Sequence, residues 1–302
     1  MHRKRGDGTF DASLLGLAPP ARSRYDLRVR LTIALAVALA ATSLLGSGGC
    51  GCRGGGVKRP YPPPADAEAV LAKVREHNDA AQSFRAKSTM DYWVGKDRVK
   101  GTVLVQGKRP AFMRFNALNP GSGNVAVDLA CQNVDFKYLN YNDNCKLVGP
   151  CNADSIAQLL RVRLAPEDFL LLAVGSSPIL PGTATNLSWD SNGGYEVVDI
   201  VAPDGRTQTL KVDLENGRIA VVQSRVTGAD GKVEWTLTNK DFHDGTSSDG
   251  KPWTLPGKTR FQQPADKADL IVDWQEVSVN LPLEDSLFDF DLNMGIHDCG
   301  SQ

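Results

Sequence analysis

Six cysteines carry most of the chemistry that this sequence offers. Cys50 and Cys52 stand together in the run LLGSGGCGCRGGG, residues 44–56, while Cys131, Cys145, Cys151 and Cys299 are spread through the body of the chain. A thiol in such places can be alkylated, oxidised to a disulfide or used as a metal ligand. Structural zinc asks for cysteines two to four residues apart or for histidine partners. None of the four body cysteines has that spacing, and the only histidine close to any of them is His297. Disulfides are therefore expected and a metal site is not. Four cysteines allow three pairings and the sequence does not choose among them, although Cys145 and Cys151 are near enough for a loop staple.

Other side chains offer less. His77 falls on the polar side of a helical stretch. His243, in KDFHDG between Asp241 and Asp244, reads as a solvated turn residue. LEDSLFDFD gathers Glu284, Asp285, Asp289 and Asp291 without the spacing of a calcium loop and reads as a polar strand end. No G-x-S-x-G elbow, H-E-x-x-H pair or phosphate loop occurs, so the residues point away from an enzyme and no cofactor is expected.

What surrounds Cys50 decides its chemistry. Leu31 to Leu45 is fifteen residues without a charge, preceded by Arg22, Arg24, Arg28 and Arg30. A membrane-spanning helix needs about 20 apolar residues. A basic flank, a short apolar core and an exit of small residues make a secretory signal peptide, residues 1–49. Ser47, Gly48 and Gly49 before Cys50 resemble a bacterial lipobox, although Ser47 stands where that pattern has Leu. The reading is cleavage before a diacylglyceryl Cys50, with Cys52 the alternative. Residues 50–64 then form a lipidated cysteine and a tether, flexible at Gly54–Gly56 and stiff at Pro60 and Pro62–Pro64. A stable hold on a bilayer takes more than one acyl chain, and a triacylated cysteine meets that need.

From residue 50 onward 27 basic side chains face 32 acidic ones, a net charge of −5. That balance excludes a nucleic-acid binder, which shows a basic patch or a basic domain. Residues 65–302 are long enough to bury a sizeable core.

These positions must be held by a β-rich domain. DAEAVLAKVREHNDAAQSF has apolar residues at helical spacing, with Asp66 as N-cap. The period then shortens to two. VKGTVLVQGKRPAFMRFNAL, GNVAVDLACQNVDFKYLNY and RTQTLKVDLENGRIAVVQSRVTGADGKVEWTLTNKDF alternate apolar and polar residues between turn signals. Asn216-Gly217 and Asp230-Gly231 are expected to supply the paired positive φ angles of type I′ turns. ADLIVDWQEVSVNLPL is a last long strand. Between the strands, residues 152–175 hold two short apolar helices, the first capped by Asn152, the second opened by Pro166 and closed by Gly175. The expected fold is mainly β with helices, of the α+β class. It is a half-open antiparallel barrel of about ten or eleven strands with an N-terminal helix and two short lid helices.

The order of these segments, with PAFMRFNAL, VDFKYLNYNDNCKLVGPC, LLRVRLAPEDFLLLAVGSSP and the closing LPGKTRFQQPADKADLIVDWQEVSVNLPLEDSLFDF, resembles the LolA/LolB-like family of envelope lipoproteins over residues 65–292. The resemblance implies an incomplete barrel whose lid encloses a hydrophobic cavity for acyl chains of lipid or lipoprotein cargo. The chain looks more closely like the uncharacterised outer-membrane lipoproteins of that fold, and its acylated N-terminus resembles the LolB branch; either implies an outer-membrane lipoprotein whose domain faces the periplasm. The alternative is an assembly lipoprotein that uses the same fold to hold an envelope protein partner.

Candidate cavity residues are Trp93, Leu104, Met113, Phe115 and Phe136 from the sheet, with Leu160, Phe169 and Leu172 from the lid. Two short helices carry more apolar side chains than one packing face requires. The competing expectation is that these side chains simply fill the core.

Overall fold

The computed structural model describes residues 56–94, 96–160, 162–292 and 295–299. The leader, Cys50, Cys52 and the first part of the tether lie outside the described residues. Among the described residues no helix is long and apolar enough to cross a membrane.

Helix α1 spans Ala67–Ala80, and Asp66 caps it by accepting from the Ala69 N–H at 2.8 Å. Strands β1 (Ser83–Val94), β2 (Asp97–Lys108), β3 (Phe112–Leu118), β4 (Val125–Gln132), β5 (Asp135–Asn140) and β6 (Cys145–Pro150) follow as a meander. Helices α2 (Ala153–Leu160) and α3 (Pro166–Ala173) interrupt it. A second meander then runs through β7 (Thr183–Asp190), β8 (Tyr195–Val201), β9 (Thr207–Asp213), β10 (Ala220–Thr227) and β11 (Val233–Lys240). After a small hairpin, β12 (His243–Thr246) and β13 (Pro252–Leu255), come β14 (Lys258–Gln263), β15 (Ala268–Val279) and the two-residue β16 (His297–Asp298).

Fourteen of these strands form one sheet in the order β16-β6-β5-β4-β3-β2-β1-β15-β14-β11-β10-β9-β8-β7. The first and last do not meet, so the barrel stays open. The sequence predicts about ten or eleven strands; the described residues form sixteen, of which β12, β13 and β16 are too short to show a period. The sheet is antiparallel except where β16 lies parallel to β6. At the first hairpin Asn216 and Gly217 both have positive φ, as expected. At the second only Gly231 does, and its N–H bonds the Gly228 carbonyl at 2.9 Å. That turn is a longer loop closed by one left-handed glycine.

Both meanders turn one face inward. Val70, Leu71 and Val74 of α1 pack on Val198, Ile200, Leu210 and Val212. Phe169, Leu170 and Leu172 of α3 join Phe84, Met113 and Phe261 in the main core. Asn152 caps α2 by accepting from Ser155 N–H at 2.9 Å. At the far end of α3 the Gly175 N–H bonds the Leu172 carbonyl and the Ser176 N–H bonds the Leu171 carbonyl. This reverse turn needs the positive φ of Gly175, and a Cβ there would sit 2.9 Å from the Phe242 ring.

Two disulfides close the structure. Cys131 pairs with Cys151 and Cys145 with Cys299. The staple envisaged between Cys145 and Cys151 does not form, because the two lie at opposite ends of β6, about 20 Å apart at the usual strand rise. The first bond ties the approach to α2 onto β4. The second fastens a strap, residues 280–292 and 295–299, whose described part crosses the outer face. Lys108 donates to the Leu283 carbonyl at 2.8 Å, and Arg114 to the Leu287 carbonyl at 3.0 Å. Phe288 is fully buried against Phe112. LEDSLFDFD is thus part of this strap and not a polar strand end; its Asp285 and Asp289 pair with Lys108 and Lys137.

The expected tether also changes. From Val57 onward it is docked. Val57 N–H bonds the Ser191 carbonyl at 2.7 Å, and Trp189 Nε1 donates to the Val57 carbonyl at 2.9 Å. Arg59 stacks over the Trp189 ring and pairs with Glu196.

Candidate functional site

Strand alternation decides which side chains face the interior. In β1 the inward-facing residues are Phe84, Ala86, Ser88 and Met90, all buried, and Tyr92 continues that face. In β2 the facing set is Val99, Gly101, Val103 and Val105, and in β3 it is Met113, Phe115 and Ala117. Where these strands end beyond the lid, their inner residues are left partly uncovered. They line an apolar pocket with Leu118 at the end of β3, Val127 and Leu129 of β4, Tyr138 of β5 and the β3–β4 loop residues Asn119 and Pro120. Asn119 and Asn142 face each other across the mouth at 3.4 Å. Gly101 leaves a gap in the wall: a Cβ built there meets no atom within 4 Å. A glycine in mid-strand often marks a place kept clear of side chains.

The volume of this pocket is about 70 Å³, well below the roughly 300–1,000 Å³ of a pocket that encloses a whole small-molecule ligand. The reason lies in the lid. Ile156, Phe169 and Leu172 are fully buried and occupy the rest of the concavity.

Of the eight candidates, Phe115 lines the pocket. Met113, Phe136, Phe169 and Leu172 are buried in the core behind it. Leu160 lies in α2, and its side chain is outside the described residues. Trp93 and Leu104 are corrections. Each is one residue out of phase, and one step along a strand moves a side chain to the other face. Leu104 is 41% exposed. Trp93 lies under the Arg98 guanidinium, 4.9 Å from its ring centre, on the outer face. Tyr92 and Val103, their neighbours, are the residues that line the pocket. In-phase counting from Phe84 and Met90 finds them.

The polar groups nearby have structural duties. Two Arg98 nitrogens bond Asp91 at 2.8 and 2.6 Å; these bonds, against some desolvation, hold the Asp91 carboxyl below its usual range. Burial pushes the Tyr138 phenol up to about 12. Asp168, at the start of α3, accepts from the Ala165 N–H at 2.8 Å. Burial raises its carboxyl to about 6 despite that bond. His77 is not on an open polar face: it is half-buried with its ring 4.6 Å from Trp253, and burial lowers its pKa. His243 is exposed. Among the described residues no three His, Cys, Asp or Glu side chains converge as a metal site.

An open antiparallel sheet wrapped around a lid, with its N-terminal helix on the inner face, is a LolA/LolB-like fold. Two solved structures carry the likeness. A domain from Vibrio parahaemolyticus, described as an outer membrane lipoprotein-sorting protein, matches with a TM-score of 0.51 at 10% identity, over 74% of this chain and 96% of its own. A LolA superfamily protein from Nitrosomonas europaea matches with a TM-score of 0.50 at 13% identity, over 75% of this chain and 99% of its own. No protein-family model and no curated protein matches the chain.

Proposed function

We propose that this protein is an acylated lipoprotein of the bacterial cell envelope that binds acyl chains of lipid or lipoprotein cargo in its open barrel, acting as a carrier or receptor and not as an enzyme. The observation that carries the reading is the wall at Gly101: an apolar pocket at the barrel rim, with an unfilled place in mid-strand. Outward displacement of α3, which packs on β1, β2 and β3, would extend that pocket along the concave face. The disulfides fit an extracytoplasmic domain. The anchor is a diacylglyceryl Cys50, or Cys52 as the alternative, in the outer membrane, with the domain in the periplasm.

The test is titration of the purified protein with a fluorescent fatty acid, alongside Gly101→Leu. Saturable binding that is lost in Gly101→Leu, with the melting temperature unchanged, is expected. Equal binding by both, or none by either, rejects the pocket. Native mass spectrometry of protein extracted from membranes reads the acylation separately.

The second reading is an assembly module that holds an envelope protein partner. The filled concavity favours it, since Phe169 and Leu172 act as core residues. Recovery of a stoichiometric protein partner and no lipid from membranes would select it.

A further inference from the structure

The arm before α1 is built onto the sheet at a defined place. Val57 bonds Ser191 in the turn between β7 and β8, and Trp189, the next to last residue of β7, bonds back to Val57. A Cβ on Gly194, in the same turn, would sit 3.1 Å from Val57 Cγ1. Glu196, fully buried on the inner face of β8, holds Arg59. Tyr61 meets Trp189 edge to face, with ring centres 6.1 Å apart. The arm therefore leaves the domain at the β7–β8 turn.

Antiparallel strands place alternate turns at opposite rims. The β7–β8 turn shares its rim with the β9–β10, β2–β3 and β4–β5 turns. Val134, the most exposed large apolar residue among those described, is in the last of these. The pocket opens at the other rim, between the ends of β1 and β2, the β3–β4 loop and Asn142.

Reach makes this geometry matter. Six residues lie between Cys50 and Val57, and the seven Cα–Cα steps span at most about 25 Å when fully extended. The mouth lies at the opposite rim, at the far end of the 12-residue strands β1 and β2, up to about 40 Å away, and this height is what a tether to a planar bilayer would have to span. A lipid on Cys50 cannot bring that mouth to the bilayer while the arm is docked.

We infer that the rim carrying the β7–β8 turn is the face this protein presents to the phospholipid bilayer, and that the docked arm points the pocket mouth away from it. Cargo then enters from the aqueous side and is not drawn from the leaflet that holds the anchor. The inference rests on the acylation proposed above.

The experiment uses the full acylated protein with Cys52→Ser, reconstituted in phosphatidylethanolamine–phosphatidylglycerol vesicles that carry a nitroxide on the headgroup. A fluorophore is placed on Asn192→Cys or on Ser122→Cys, exposed positions at the two rims. Quenching at residue 192 at least threefold that at residue 122 is expected. Fifteen Gly/Ser residues inserted between Gly55 and Gly56 lengthen the reach without touching the fold, and should bring the two signals close together. The double variant Arg59→Gln, Glu196→Gln should do the same by releasing the arm. Equal quenching in the parent protein, stronger quenching at residue 122, or a contrast that survives the insertion overturns the inference. Protein whose mass shows no acyl group overturns the acylation and this orientation together. Acylated protein with equal quenching overturns the orientation alone.

Discussion

Arg59 and Glu196, 137 residues apart in the chain, meet with Nη2 donating to Oε2 at 3.0 Å and Nε 2.8 Å from Oε1. The Glu196 side chain has no exposed surface, and the Arg59 side chain is 21% exposed. Glu196 faces inward in register with Trp189 of β7, where an apolar residue would be the ordinary choice. Burial and the Glu196 charge push the adjacent Tyr61 phenol up to about 12. The pair fixes the path of the arm more than it adds stability.

Removing one partner leaves the other stranded. Arg59→Ala should cost about 3–5 kcal/mol, because a buried carboxylate loses its counter-charge. Replacing both by apolar residues of similar volume should cost much less. Denaturant unfolding of both variants checks this; equal losses would mean that Glu196 is solvated.

Phe169→Ala should cost about 3–5 kcal/mol, the loss for a fully buried ring. Leu104→Ala, on the outer face, should stay within about 0.5 kcal/mol. Chemical denaturation separates the two, and similar values would place Leu104 inside.

The disulfides should differ by the loops that they close. Cys131–Cys151 spans 20 residues and Cys145–Cys299 spans 154. By chain entropy the first contributes about 3 kcal/mol and the second about 5. Paired serine variants, measured by urea unfolding, are expected in that order. Loss of the second bond should also free the strap, read as faster amide exchange at residues 284–290.

Acidity should act through Asp168. Its folded pKa of about 6 lies above the usual 3.8. Its contribution is therefore fully present below the unfolded value and is lost as pH rises through about 6. The loss is up to about 3 kcal/mol at 1.36 kcal/mol per pH unit. Asp168→Asn keeps an acceptor for the Ala165 N–H and has no such slope. Its stability relative to the parent should rise between about pH 4 and pH 7. Parallel profiles would place Asp168 in solvent.

Much of this fold was legible along the chain because its cues are local. Asp66 and Asn152 cap helices, Pro166 opens α3, Gly175 ends it, and Leu210 and Val212 alternate inward, each through contacts made within a few residues. The resemblance to the LolA/LolB-like fold rested on the same segments. Phase was the weak point. Trp93 and Leu104 are apolar enough to suit either face, and composition alone cannot say which side of a strand is inside.

The sequence by itself determined the alternating strands, the greasy helices between them, the charge balance and four cysteines suited to disulfides. It could not pair those cysteines, since the pairing depends on β6 holding Cys145 and Cys151 at its two ends and on a strap that returns to the first of them. Nor could it dock the arm, because a charged Glu196 in a strand reads as solvent-facing until Arg59 arrives from 137 residues away. The depth of the pocket is likewise a tertiary matter. Phe169 and Leu172 have the same hydrophobicity whether they line a cavity or fill it, and only the packing of α3 against β1, β2 and β3 decides which.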